Sequence, residues 1–206
     1  MKTEVISTNS PNAIANALEV LLSGGLVAFP TDTVYGVGAL VFDEKAVESI
    51  YAAKERPVEK AIPVLIGDAV DLNQVADEIP MPAARLIARF WPGPLTIVVP
   101  AADALSRLLA PRGTLGVRVP AHAVARALAQ QLGECITATS ANRSGAAAPA
   151  TAADVVRAFS DGVDLLLDGG AAPGGAPSTI VEVVQGRLTM HRAGAIAWDR
   201  VLESLE

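Results

Sequence analysis

The apolar segments of this chain are short, and three of them run straight into proline. Leu26-Val27-Ala28-Phe29 stops at Pro30, Leu95 to Val99 at Pro100, and Leu115 to Val119 at Pro120. Proline has no N–H for a strand ladder, so each run reads as a strand that ends there. Segments with helical spacing lie between them. Pro11 to Ser23 places Ile14, Ala17, Leu18, Leu21 and Leu22 on one face and ends at Gly24-Gly25. Glu44 to Ala53 reads as a helix with Asp43 as its N-cap, and Asp77 to Phe90 as a helix broken at Pro80 and Pro82. Ala121 to Leu132, Thr151 to Phe159 (capped at or near Thr151) and Ala197 to Leu205 complete the helices. Further strands are expected at Ile62 to Ile66, Ile136 to Thr139 and Leu165 to Leu167. A hairpin joins Thr179 to Val184 and Leu188 to His191 around Gln185-Gly186. Strands alternating with helices predict an α/β fold, with antiparallel pairing near the C-terminus. There is no fixed-period repeat and no long linker, so residues 1–206 read as one domain. Gly169 to Gly175 is the best candidate hinge, and a surface loop is the plainer reading of it.

Composition narrows the function. The chain is 51% hydrophobic and 18% charged, which excludes a disordered protein. A single cysteine, Cys135, excludes a disulfide framework and a multi-cysteine metal site, and His122 and His191 are too few for an all-histidine one. No resident metal is expected. Met1 to Asn12 lacks an apolar signal core, and no apolar run approaches the ~20 residues that cross a bilayer. The expected compartment is the cytoplasm, with no membrane partner. A net charge of −6 argues against a general nucleic-acid coat and leaves room for a local basic cleft.

Several nucleotide and hydrolase motifs are missing. No Gly-Lys pair exists for a phosphate-binding P-loop, and Gly36-Val37-Gly38 lacks the third glycine of the dinucleotide fingerprint. There is no Gly-x-Ser-x-Gly elbow and no His-Glu-x-x-His. What remains is a series of polar clusters, most of them beside expected strands. Thr31-Asp32-Thr33-Val34-Tyr35-Gly36 can hold a small polar ligand, or can simply be a turn bonded to itself. Lys54-Glu55-Arg56-Pro57-Val58-Glu59-Lys60 suits phosphate, or a solvated helix end. Arg118 interrupts an apolar strand and must find an anion, either a ligand or an internal carboxylate. Thr137 to Gly145 is rich in hydroxyls and amides, and Ser178-Thr179 and His191-Arg192 add two more clusters. The set has cations and hydrogen-bond donors and almost no general base. It suits charge stabilisation, as in phosphoryl or nucleotidyl transfer.

These clusters, in this order, resemble the YrdC-like threonylcarbamoyl-AMP synthases. The resemblance runs from about Ser10 to Gly194. It rests on Phe29-Pro30-Thr31-Asp32-Thr33-Val34-Tyr35-Gly36, Lys54-Glu55-Arg56-Pro57, Trp91-Pro92-Gly93-Pro94-Leu95-Thr96, Gly116-Val117-Arg118-Val119-Pro120, Ser140-Ala141-Asn142-Arg143-Ser144-Gly145 and Pro177-Ser178-Thr179-Ile180-Val181. Lys54/Arg56 and Ser140/Asn142 match the family's signature pair. The resemblance implies a twisted open mixed sheet with flanking helices around a deep, positively lined cavity. It implies ATP, L-threonine and bicarbonate as substrates, with Mg²⁺ carried on the ATP phosphates. The product it implies, threonylcarbamoyl-AMP, feeds separate tRNA threonylcarbamoyl transferase proteins.

Carried over by position, Lys54 and Arg56 are catalytic and clamp the triphosphate. Lys60, Thr114, Ser140, Asn142 and Arg192 join them on ATP, while Thr33, Arg118 and Ser178 form the threonine pocket. Some longer relatives have Asn and His where this chain has Lys60 and Leu65, and Ala148-Pro149-Ala150 replaces a common Ser-Pro-Thr. The chain ends at Glu206, so a short form without the extra C-terminal domain of those relatives is expected. The alternatives are an RNA-binding or ribosome-assembly protein of the same fold, touching tRNA or double-stranded RNA, and a paralogue without this reaction.

Overall fold

A computed structural model describes residues 3–159, 161–184 and 186–205. The expected mixed sheet with flanking helices is present, with its strands divided between two sheets. The first carries β1 (Glu4–Ser7), β2 (Val27–Phe29), β3 (Gly36–Gly38), β8 (Thr139–Ser140) and β9 (Leu165–Asp168), in the order β1-β9-β2-β3-β8. The second carries β4 (Val64–Leu65), β5 (Leu95–Pro100), β6 (Thr114–Arg118), β7 (Ile136–Thr137), β10 (Thr179–Val184) and β11 (Arg187–Arg192), in the order β11-β10-β5-β6-β4-β7. Both sheets mix parallel and antiparallel neighbours.

The short apolar runs are strands covered on both faces. In β2, Val27 and Phe29 face one hydrophobic cluster and Ala28 the other. In β9, Leu165 and Leu167 divide from Leu166 in the same way. Side chains alternate across a strand, so a run with no polar position has no wet face. The run expected at Ile136 to Thr139 divides at Ala138. β7 pairs with β4 in one sheet and β8 with β3 in the other, so this segment joins the two. Gly38 permits the join, because a Cβ there would lie 2.2 Å from the Thr137 carbonyl oxygen.

The helices are α1 (Ala13–Leu22), α2 (Glu44–Lys54), α3 (Met81–Phe90), α4 (Ala123–Leu132), α5 (Ala152–Phe159) and α6 (Trp198–Glu203). Asp43 caps α2 by accepting from the Ala46 N–H at 3.1 Å. Thr151 and Asp154 bond reciprocally at the start of α5. The helix expected from Asp77 begins only at Met81, with Pro80 before it and Pro82 in its first turn, where a missing N–H leaves nothing unpaired.

Three elements are absent from the sequence reading, one of them β3, which falls in the stretch read as a polar loop after Pro30. β1 is a four-residue edge strand lying parallel to β9, too short and too exposed to show a period. Ala69–Gln74 is a 3₁₀ helix. The hairpin of β10 and β11 pairs antiparallel as expected. Its turn residue Gln185 lies outside the described residues.

Candidate active site

Where the sheets meet, a cavity of about 290 Å³ opens among the ends of several strands. Its walls include Thr33 after β2, Arg56 after α2, Thr96 in β5, Arg118 at the end of β6, Ser140 at the end of β8, Asn142, Ser178 before β10 and Arg192 at the end of β11. Seven of the ten residues expected at the site therefore line one cavity. Lys54, Lys60 and Thr114 are not among its lining residues.

Each absence has a structural reason. Lys54 is the last residue of α2, and Glu55 follows it in the left-handed region at φ 51°. That turn leaves Lys54 on the buried face of the helix, 1% exposed, and sends Arg56 to the cavity. The Lys54 ammonium donates to the carbonyls of Ser140 at 2.5 Å and Asn142 at 2.6 Å. Burial, then the neighbouring Arg56, pulls its pKa down to about 8. The Lys60 side chain is exposed, and its carbonyl accepts from Arg56 Nε at 2.9 Å. Thr114 stands at the opposite end of β6 from Arg118, paired with Pro100.

The three cavity arginines differ in their partners. Arg118 donates from Nη2 to Asp32 Oδ1 at 2.5 Å, from Nε to the Gly93 carbonyl at 2.9 Å, and from Nη1 to Thr33 Oγ1 at 3.4 Å. The internal ion pair that the sequence left open is therefore present, and Arg118 still faces the cavity. Arg56 donates through its guanidinium to the carbonyls of Lys60 and Ala61. Arg192 bonds the carbonyl of Ser178 at 3.0 and 2.8 Å and its hydroxyl at 2.9 Å. Among the described residues, neither has a carboxylate within ion-pair distance. Burial lowers the pKa of Arg192, and the fields of Arg118 and Arg56 lower it further. Three guanidiniums around one carboxylate leave an electrostatic deficit that an anion would relieve.

The sequence reading assigned no role to three residues of the site. Thr31 accepts from the N–H groups of Thr33 and Val34 and donates to the Val34 carbonyl, which shapes the loop after β2. Asp32 is the acid that holds Arg118. Thr96 exchanges a hydrogen bond with Ser178 at 2.8 Å. A signal for Thr96 was available, since it is a lone hydroxyl inside the apolar run Leu95 to Val99. Leu65 and Ala148, both noted as departures, line the cavity. The Gly169 to Gly175 segment is tied to the site loop. Tyr35 donates its hydroxyl to the Gly170 carbonyl at 2.7 Å, and the Gly174 N–H donates to the Thr33 carbonyl at 3.0 Å.

The lining offers hydroxyls, amides and guanidiniums but no carboxylate, thiolate or imidazole, so it does not suit a resident divalent metal. Among the described residues no cluster of metal-ligating side chains is found, and no helix is long and apolar enough to cross a membrane.

The family model of the Sua5, YciO and YrdC proteins, described as "Telomere recombination", matches residues 19–194. The threonylcarbamoyl-AMP synthase of Pyrococcus abyssi is 38% identical over 179 residues, which is 86% of this chain and 53% of that protein. The enzyme of the same name from Bacillus subtilis is 38% identical over 201 residues, 97% of this chain and 58% of that one. The chain thus spans little more than half the length of these relatives. Among solved structures, P. abyssi Sua5 complexed with L-threonine superposes with a TM-score of 0.93 at 34% identity, covering 99% of this chain and 61% of that one. E. coli YciO superposes with a TM-score of 0.83 at 25% identity, covering 95% and 96%.

Proposed function

Because the chain belongs to the Sua5/YciO/YrdC family, we propose that it is an L-threonylcarbamoyladenylate synthase, its 206 residues acting as one catalytic unit in the cytoplasm. The amine of L-threonine and bicarbonate condense to a carbamate with loss of water. A carbamate oxygen then attacks the α-phosphorus of ATP, and diphosphate leaves. The product, threonylcarbamoyl-AMP, is a mixed anhydride, and its acyl group passes to tRNA through separate threonylcarbamoyl transferase proteins.

The observation that carries this reading is the convergence of Arg56, Arg118 and Arg192 on one cavity with a single carboxylate partner among the described residues. Threonine's carboxylate, bicarbonate and the triphosphate are all anions, and the attack concentrates charge on the phosphate oxygens. Preorganised cations lower that barrier. On this reading Arg56 and Arg192 face the phosphates, with Ser140 and Asn142 on the ATP side. Arg118, Thr33 and Ser178 receive threonine, and Mg²⁺ belongs to the substrate as the counterion of ATP.

The test is product detection. Protein mixed with ATP, L-threonine, bicarbonate and Mg²⁺ is expected to release diphosphate and threonylcarbamoyl-AMP only when all are present. Equal ATP turnover without threonine would refute the reading.

A further inference from the structure

Thr96 places a hydroxyl in a strand, β5, that is otherwise apolar. Its Oγ1 lies 2.8 Å from Ser178 Oγ, and either atom can be the donor. Thr96 is 2% exposed and Ser178 4%, and both line the cavity. The two come from neighbouring strands: β5 pairs in parallel with β10, and Ser178 immediately precedes β10. A Cβ on Gly116 would lie 3.2 Å from the Thr96 methyl, so a glycine there leaves that methyl its room. A β-branched side chain is stiff about its first torsion, so the packed methyl fixes where the hydroxyl points.

A hydroxyl has one proton and two lone pairs. A guanidinium only donates, so Ser178 Oγ accepts from Arg192 Nη2 at 2.9 Å. The two hydroxyls carry two protons, and one of these bridges the pair. The other finds no acceptor among the described residues. When Thr96 supplies the bridging proton, both lone pairs of Ser178 are taken and the Ser178 proton is left for a ligand. Two donors on Ser178 Oγ, one of them charged, polarise its O–H and strengthen it as a donor to an anion.

Resting on the synthase reading above, we infer that Thr96 is a positioning residue: it donates to Ser178 Oγ and so commits the Ser178 hydroxyl to donate to a carboxylate oxygen of L-threonine. With its lone pairs on Arg192 and Thr96, Ser178 has none for the amine of threonine. The nitrogen that must meet bicarbonate is therefore left out of this contact. Thr96 acts through Ser178 and does not itself touch substrate.

The experiment is steady-state diphosphate release with L-threonine, ATP and bicarbonate varied in turn, and a thermal melt as the folding control. The proteins are wild type, Thr96→Val, Thr96→Ser, Ser178→Ala and the double variant Thr96→Val/Ser178→Ala. Thr96→Val keeps the branched shape and loses the hydroxyl. It is expected to raise the apparent KM for threonine about three- to tenfold, the loss typical of one hydrogen bond, with kcat and the KM for ATP within about twofold of wild type. Thr96→Ser, which restores the hydroxyl, is expected to recover most of that loss. In the Ser178→Ala background, removing the Thr96 hydroxyl is expected to add less than about twofold. An unchanged threonine KM in Thr96→Val would overturn the inference, as would equal losses for ATP and threonine, the mark of a merely structural role. So would a Thr96→Val loss that persists in full without the Ser178 hydroxyl, which would put Thr96 itself on the substrate. Should Thr96→Val fail to fold, Thr96→Ala makes the same comparisons. Wild type that releases no diphosphate from the three substrates would overturn the synthase reading and this inference with it; an active enzyme indifferent to Thr96→Val overturns the inference alone.

Discussion

Two cations two residues apart, Lys54 and Arg56, occupy opposite sides of the cavity wall. Lys54 is sealed behind it, with its ammonium on two backbone carbonyls. Arg56 stands in it, with its guanidinium on carbonyls and no carboxylate among the described residues. The sequence offers both as phosphate ligands. The difference teaches that a cation near a substrate can act through the scaffold or through space, and that its own hydrogen-bond partners decide which.

The sharpest break of this comparison is Arg56→Ala. If Arg56 faces the transferring phosphate, diphosphate release is expected to fall by about 10²–10³-fold, with the melting temperature near that of wild type. Unchanged turnover would place Arg56 on a solvated face instead.

Lys54→Met is expected to fail differently. Two buried carbonyls lose their donor, so unfolding in urea is expected to show a loss of about 2–3 kcal/mol, with activity and stability declining together. Wild-type stability with lost activity would make Lys54 a phosphate ligand. pH sharpens the test. The folded pKa, about 8, lies below the ordinary 10.5. The unfolded chain therefore binds more protons between those values. Lys54's contribution to stability is full above about pH 10.5 and is lost as pH falls through 8. Denaturant titrations across that window are expected to show wild type gaining stability with pH relative to Lys54→Met.

Arg118 lies between the two cases, paired internally yet facing the cavity. Arg118→Lys keeps the charge and loses the fork. The apparent KM for threonine is expected to rise about tenfold, with a smaller effect on ATP. Stability is expected to fall as well, because Asp32 stays in place beside a poorer partner. A structural role alone would weaken both substrates equally.

The smallest effect is expected at the residue that separates the two cations. Glu55 adopts φ 51°, a conformation glycine takes without strain, and its ion pair with Arg143 is exposed. Glu55→Gly is expected to shift unfolding by less than about 1 kcal/mol, toward greater stability, and turnover by less than about twofold. A large loss of activity would show that the exposed carboxylate contributes to the site.

The sequence alone determined the parts of this protein that depend on near neighbours in the chain. Asp43 and Thr151 mark their helix starts because caps act within one turn. Wholly apolar runs such as Val27 to Phe29 imply strands covered on both faces, because side chains alternate over two residues. The polar clusters at strand ends identified most of the cavity wall, since such ends are where backbone groups and ligands meet. Tertiary structure alone decided what depends on distant partners. The four residues of β1 become a strand only because β9 offers a parallel edge. The run from Ile136 to Ser140 serves two sheets because Gly38 admits a carbonyl at close range. The internal partners of Lys54 and Arg118 are carbonyls and a carboxylate up to 88 residues away in the chain. Hydrogen-bond geometry acts through space, and the chain's order does not record it.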